Sequence, residues 1–333
     1  MTERTASSPS PGPDSERTVI VGAGDLGTRI GRRLRNAGRA VDGWKRDPTT
    51  LPEDFTGVSA DLTHPAQLPE LPEDTTAVVF CPTAGGRNAA RYRAVYRDGL
   101  RALLERADRL GGRTGRPVRL VLISSTAVHG GESGLVDEST ALHPHTATGE
   151  VLAETEQLLR SDDAVEATVL RLSGIYGPGR RRLLDQVLGG RLGTGAQGAG
   201  AQQRGATPDV DPWRISNRIH VEDAAAAAAA MVTAQHCPSV LLGVDELPVP
   251  VGMVHDWLAD QLGLPRPWPQ LVPADGSLEE LLAVGREDLL WRSTRAHGKA
   301  VDGTRLRRFL GHLEHRDFRS GYADLVAEVA EAG

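Results

Sequence analysis

Apolar residues along this chain follow two rhythms. Short β-branched runs that end abruptly alternate with longer stretches in which apolar residues recur every three or four positions. Thr18 to Val21 is the first such run, and it stops at Gly22. Behind it Leu26, Ile30 and Leu34 recur at spacing four, which predicts an amphipathic helix ending near Gly38. Strands are then predicted over 40–44, over 57–60 with Asp61 at the tip, and over 77–81, stopped by Pro82. Residues 91–110 read as a helix with Tyr92 and Tyr96 on one face. Val118 to Ile123 is a continuous apolar run, as a strand buried on both faces requires. A helix over 149–159 and a strand over 167–172 follow.

Strands alternating with helices imply crossover connections and a doubly wound parallel sheet, an α/β architecture. After Gly174 the alternation breaks down. Residues 189–212 are rich in Gly, Ala and Gln and read as a mobile loop. An alanine-rich helix starts near Asp223, and 239–243 can add one more strand. Residues 1–16 are polar and rich in Pro and Ser, which predicts a disordered tail. They lack the apolar stretch of a signal peptide, so the expectation is a cytoplasmic protein.

Composition narrows the function classes. No apolar run is long enough to span a bilayer, so no membrane partner is expected. A net charge of −6, with no basic cluster or aromatic platform, argues against a nucleic-acid partner. Cys81 and Cys237 have no ligand-like neighbours, so neither a disulfide framework nor a metal site is expected. The basic charge is almost all arginine; Lys45 and Lys299 are the only lysines.

Gly22-Ala23-Gly24-Asp25-Leu26-Gly27 sits between the first strand and the first helix. A dinucleotide needs this arrangement. The first glycine permits the tight turn, the second lets backbone approach the diphosphate, and the third lets the helix pack on the strand. The alternative is a glycine-rich turn that binds nothing. Cofactor type depends on the tip of the second strand, where NAD binders carry an acid about 20 residues past the first glycine. Asp42 has that spacing but falls inside the strand, whereas Lys45 and Arg46 occupy the tip. Positive charge there favours a 2′-phosphate, so NADP(H) is expected over NAD(H); a solvated basic pair is the other reading. Asp61 and Leu62 are placed to border the adenine, and Cys81 and Pro82, at the end of the fourth strand, are also expected to contact the cofactor. The expected organisation is a dinucleotide-binding Rossmann domain over 17–173. Residues 174–330 are expected to complete the sheet and to form a small C-terminal substrate-binding lobe.

With these residues collected, the chain resembles the extended short-chain dehydrogenase/reductase superfamily, and within it the NAD-dependent epimerase/dehydratase group and its atypical YeeZ-like members. The likeness runs in order over about residues 17 to 325. It is carried by Gly22 to Gly27, Tyr92 to Leu100, Ile123 to Gly130, Val136-Asp137-Glu138, Leu170 to Gly179, Asn217 to Asp223, Gly298 to Asp302 and Asp317 to Gly321. The resemblance implies a Ser or Thr at the end of the fifth strand that orients a substrate oxygen. It also implies a Tyr that moves the proton and a Lys four residues later that lowers the Tyr pKa and holds the nicotinamide ribose. A phenol needs such a cation to act as a base near neutral pH.

Ser125 matches the first position, with Thr126 beside it. At the Tyr and Lys positions the chain reads Thr148 and Leu152, anchored by Pro144, Gly149 and Glu156. The usual relay is absent, and the nearest lysines in sequence are Lys45 and Lys299. Tyr176, in the loop expected to border the nicotinamide, is the best phenol candidate, with a packing role as its alternative. Tyr92 and Tyr96 are more simply an aromatic stripe on the sheet. His143 and His145 suit proton transfer chemically, yet they also fit a solvated loop. His129 can simply support the strand end, and Asp137-Glu138 a turn. Asn217, Arg218 and His220 stand where extended members contact substrate; Arg218 can hold a carboxylate or phosphate or a structural ion pair. By analogy with relatives, the helices after the fourth and fifth strands can form a homodimer face. The reading is therefore an NAD(P)-dependent oxidoreductase or epimerase/dehydratase-like enzyme acting on a small polar metabolite. A non-catalytic NADP(H)-binding sensor is the alternative.

Overall fold

The computed structural model describes residues 16–86, 88–192, 210–268, 271 and 296–331. Residues 1–15 of the expected tail and 193–209 of the expected loop lie outside these. By contact the described residues fall into two units, one within 16–131, 141–172 and 222–242, the other within 132–140, 173–221 and 243–331.

The first unit is built on a seven-stranded sheet. Its strands are β1 (Arg17–Val21), β2 (Ala40–Lys45), β3 (Thr56–Ser59), β4 (Thr75–Phe80), β5 (Val118–Ser125), β7 (Val165–Leu172) and β11 (Val240–Gly243). Their spatial order is β11-β7-β5-β4-β1-β2-β3, and the pairings of β1 with β2 and β4, β2 with β3, β4 with β5, and β5 with β7 are all parallel. Strand order therefore reverses between β1 and β4, the point at which open α/β sheets leave a crevice at the strand carboxyl ends. Burial explains the apolar runs: Val19, Val21, Val78, Phe80, Leu120 and Leu122 share one core with Leu100, Leu103 and Leu110.

Helix α1 (Asp25–Asn36) buries Leu26, Ile30 and Leu34, the stripe that its spacing predicts. Helix α6 (Val221–Thr233) buries Ala224, Ala225, Ala228 and Met231, and its first-turn Glu222 pairs with Arg29 and Arg33 of α1. Arg119 Nη1 in turn donates to the Val232 carbonyl at the far end of α6 (3.2 Å).

One expected helix differs from its reading. Residues 91–110 are not a single α-helix: α2 (Ala89–Tyr92) passes through a π-helical turn, Arg93–Asp98, into α3 (Gly99–Thr114). The wider turn brings the Tyr92 and Tyr96 rings face to face, centroids 4.8 Å apart. Past it, Gly99 lets α3 lie against Leu62, whose Cδ2 would stand 2.9 Å from any Cβ there. Helix α4 (Ala147–Arg160) completes the set.

The second unit consists of three two-stranded pairs and the helices around them. β8 (Gly174–Tyr176) pairs in parallel with β10 (Arg218–His220), and β6 (Gly134–Val136) with β13 (Lys299–Val301). β9 (Ile215–Ser216) pairs antiparallel with β12 (Val249–Pro250). Among the described residues its helices are α5 (Arg182–Leu192), α7 (Val251–Gln261), α8 (Thr304–Leu310) and α9 (Phe318–Glu331). Helix α5 thus extends to Leu192, four residues into the stretch expected to be loop. Leu184, Val254, Leu258, Phe318, Tyr322 and Leu325 centre this unit's core. Among the described residues no helix is long and apolar enough to cross a membrane, and no group of three or more His, Cys, Asp or Glu is placed to hold a metal.

Candidate functional site

The three glycines at the carboxyl end of β1 do three different jobs. Gly22 has φ +91°, and a Cβ there would lie 2.5 Å from Pro82 Cα. The turn therefore presses on the backbone just past β4, and the Gly22 and Ala23 amides bond the Trp44 carbonyl of β2 (2.9 and 3.1 Å). A Cβ on Gly27 would meet the Gly22 carbonyl at 2.9 Å, Ile20 Cγ2 at 3.0 Å and Cys81 Sγ at 3.2 Å, so this glycine seats α1 on the sheet. Gly24 differs: a Cβ there would approach nothing closer than the Gly22 carbonyl, at 4.0 Å. That open side is where a diphosphate needs room. Gly24 is also the N-cap of α1 and offers no side-chain acceptor, so the amides of the first helical turn, at Leu26 and Gly27, point toward the open side as an anion requires. A dinucleotide fits this cradle.

Beside it lies a cavity of about 440 Å³, within the usual size of small-molecule sites. The tips of four strands line it: Gly22 and Gly24; Trp44 to Asp47; Ala60 to Thr63; and Pro82 and Thr83, with Arg91 and Val95 from the helix beyond. Lys45 Nζ donates to Thr50 Oγ1 (2.8 Å), whereas exposed Arg46 makes no ion pair among the described residues. Asp42 is buried in mid-strand between Val19 and Thr56 and pairs with Arg17, so its carboxylate is withdrawn from the cavity wall. Burial raises its pKa, against the pull of Arg17.

Asp61 caps its own turn, accepting from the Thr63 amide (2.9 Å) and hydroxyl (2.7 Å), which hold it below the usual carboxylate range. Asp47 was not singled out by the sequence reading, yet it lines the same cavity. Its carboxylate accepts from the Thr49 hydroxyl (2.6 Å) and amide (3.1 Å) and is likewise lowered. The available signal was the Asp47-Pro48 start of a short 3-10 turn. Leu62 is buried, and the Cys81 thiol lies under the cradle against the Gly22 carbonyl (3.4 Å). Burial pushes that thiol up to about 12, which leaves it protonated and inert.

Ser125 ends β5 half-buried, its Oγ accepting from the Ala127 amide (3.1 Å) at the start of a 3-10 turn over Thr126–His129. Thr126 beside it is buried. On α4, Thr148 is half-buried, while Leu152 is buried within the apolar core of the first unit. The position where a relay lysine is expected is thus a packing position.

One turn further along α4, Glu156 is buried and held on three sides. Ser124 Oγ donates to it at 2.6 Å, and Arg171 of β7 does so through Nε (3.1 Å) and Nη2 (2.7 Å). Arg171 Nη1 also reaches His129 Nε2 (3.0 Å). Since arginine can only donate, His129 accepts there, and its Nδ1–H donates to the Ala141 carbonyl (3.1 Å). His129 is therefore a neutral, fixed imidazole at the strand end. Sequence reasoning missed this network because its members are far apart in the chain. His143 and His145 are exposed.

The remaining candidates lie in the second unit. Tyr176 is buried, donates its hydroxyl to the Asp317 carbonyl (3.1 Å), stacks on Tyr322 (4.7 Å) and meets His220 edge-on (5.4 Å). Buried His220 packs on the His315 ring at 3.7 Å. Arg218 is buried over the Phe318 ring, 3.6 Å from Asp245, and donates to the Leu247 carbonyl (2.8 Å). The Asn217 amide bridges β13, donating to the Lys299 carbonyl (2.9 Å) and accepting from the Val301 amide (2.8 Å). The structure thus gathers these four residues on β8, on β10 and just before it. The Tyr176 hydroxyl and the Asn217 amide are bonded within the unit, whereas Arg218, buried beside Asp245, leaves its Nε and Nη1 without a hydrogen bond among the described residues. Burial and nearby Arg214 lower the Lys299 ammonium to about 8. Asp137 caps its turn through Ser139 and Thr140.

A parallel sheet with a glycine cradle at its order reversal defines a Rossmann dinucleotide-binding protein. The chain belongs to the NAD dependent epimerase/dehydratase family, which matches residues 18–241. It is 42% identical to Protein YeeZ of Escherichia coli K12 over 62 residues, 19% of this chain; that match spans only 23% of YeeZ. A structure from Methylobacillus flagellatus, provisionally described as a NAD-dependent epimerase/dehydratase, is 27% identical; the match covers 94% of this chain and 98% of that one, with a TM-score of 0.68. UDP-glucuronic acid 4-epimerase from Bacillus cereus, solved with NAD, shares the fold at 15% identity, with 94% and 99% coverage and a TM-score of 0.65. Family and cradle together support a nicotinamide dinucleotide site in an epimerase/dehydratase-type protein.

Proposed function

We propose that this chain is an NADP(H)-preferring enzyme of the epimerase/dehydratase type that acts on a small polar metabolite without a Tyr–Lys relay. The observation that carries the reading is the second-strand tip: Arg46 faces the cavity without an ion pair among the described residues, while Asp42 is spent on Arg17. A 2′-phosphate gains a cation there, and a ribose diol loses the acid it would bond at that position. Bound, the nicotinamide would accept or supply hydride. The chain's own residues hold and orient: the α1 amides and Gly24 take the diphosphate, and Asp61 and Leu62 border the adenine. Ser125 receives the Ala127 amide on its oxygen, so its hydroxyl hydrogen remains to orient a substrate oxygen. No acid role is assigned to Tyr176, whose O–H is already donated to Asp317.

Fluorescence titration with NADPH and NADH tests the reading. NADPH is expected to bind about tenfold more tightly, as one charge-assisted contact supports. Arg46→Ala should erase the difference without weakening NADH. A protein that binds neither dinucleotide removes the proposal. The burial of Leu152 favours a second reading, a dinucleotide sensor. Tight NADPH binding with no turnover across panels of carbonyl and alcohol substrates would select it.

A further inference from the structure

The cradle offers the diphosphate only backbone amides and a helix end, all formally neutral, while the same cavity carries the acids Asp47 and Asp61. Its lining cations are Lys45, Arg46 and Arg91. The first two come from the tip of β2. Arg91 comes from the opposite side, beyond β4, where Pro82 backbone abuts Gly22.

Two bonds fix Arg91 there. Its Nε donates to the Ala84 carbonyl (2.5 Å), and its amide bonds the Asn88 side chain (3.0 Å) that caps α2. The π-helical turn that follows anchors the same loop a second time, through Tyr96 Oη to the Pro82 carbonyl (2.7 Å). Among the described residues the terminal nitrogens of Arg91 have no acceptor, and the residue is exposed along the cavity wall.

We propose that Arg91 is a diphosphate ligand: its guanidinium fork closes the cradle from the β4 side and supplies the cation that the backbone amides lack. This rests on the dinucleotide reading above. Because the diphosphate is common to both cofactors, Arg91 contributes affinity and Arg46 contributes the choice between them. The two arginines therefore separate by experiment.

NADPH, NADH and ADP-ribose are titrated into the wild-type protein and into Arg91→Ala and Arg91→Lys, with thermal unfolding as a check on folding. Arg91→Ala should weaken all three by a similar factor, about tenfold, the size of one charge-assisted hydrogen bond. Arg91→Lys should recover part of the loss, since it keeps the charge. Unchanged affinity in Arg91→Ala overturns the proposal. So does a loss confined to NADPH, which would place Arg91 at the 2′-phosphate. Equal loss in Arg91→Lys and Arg91→Ala also overturns it, because the effect would then come from the lost Ala84 anchor. Failure of the wild type to bind any of the three is a different result, and it overturns the dinucleotide reading itself.

Discussion

Glycines that look alike in the sequence are separated by what surrounds them. Gly22 is held by its φ of +91° and by Pro82, so Gly22→Ala is expected to cost about 2 kcal/mol or more of folding stability in chemical denaturation. Gly24 has open space on its Cβ side and φ of −83°. Gly24→Val should therefore leave stability within about 0.5 kcal/mol of wild type. The same change should weaken NADPH by tenfold or more in titration, because the new side chain takes the diphosphate's room. Comparable stability losses in the two variants would contradict this division of labour. The jobs of both glycines were legible from the strand–helix context. Asp47 was not, since its approach to the cavity depends on a turn whose direction no short-range pattern encodes.

At the scale of elements, α4 gives the clearest case. Thr148, Leu152 and Glu156 share a face by their spacing of four, and each meets a different environment. Leu152 packs in the core, so installing the missing cation as Leu152→Lys should not restore a relay. It should destabilise the protein by about 3 kcal/mol or more, measured by denaturant unfolding, as an unpaired charge enters an apolar site. Glu156 is the partner of fully buried Arg171. Removing its charge in Glu156→Gln strands a guanidinium in the interior, with an expected cost of about 3–5 kcal/mol. A cost below 1 kcal/mol would show that water reaches the pair. The Leu26–Ile30–Leu34 stripe of α1 was readable because a 3.6-residue period repeats locally. The π-helical turn before α3 was not, because Tyr92, Tyr96 and Gly99 settle it against Pro82 and Leu62, which lie elsewhere in the chain.

At the scale of the whole molecule, stability depends on pH through buried groups in its cores. His255 is buried with Nε2 on the Gln186 carboxamide, and burial, aided by Arg182 and Arg218, lowers its pKa from 6.5 to about 4. The unfolded chain binds this proton more readily than the native one between those values. The native state is therefore fully favoured above pH 6.5 and loses up to about 3 kcal/mol as the pH falls toward 4. His255→Gln should flatten that part of the stability curve, measured by urea unfolding at a series of pH values. An unchanged slope would show that His255 is not the group responsible.

Local order in the sequence determined the doubly wound sheet, the order of its elements and the glycine cradle, because hydrophobic period, turn chemistry and helix ends act over a few residues. Tertiary structure alone decided which side chains remain available for chemistry. Tyr176 and Asn217 are chemically apt in sequence, yet the Tyr176 hydroxyl is donated to the Asp317 carbonyl and the Asn217 amide is bonded to β13. Arg218 is buried beside Asp245 and over Phe318. Arg91, inconspicuous in sequence, is carried to the cavity by a loop and a π turn. The physical reason is that a donor or cation is available only where folding leaves it without a partner, and partners are set by contacts between residues far apart in the chain.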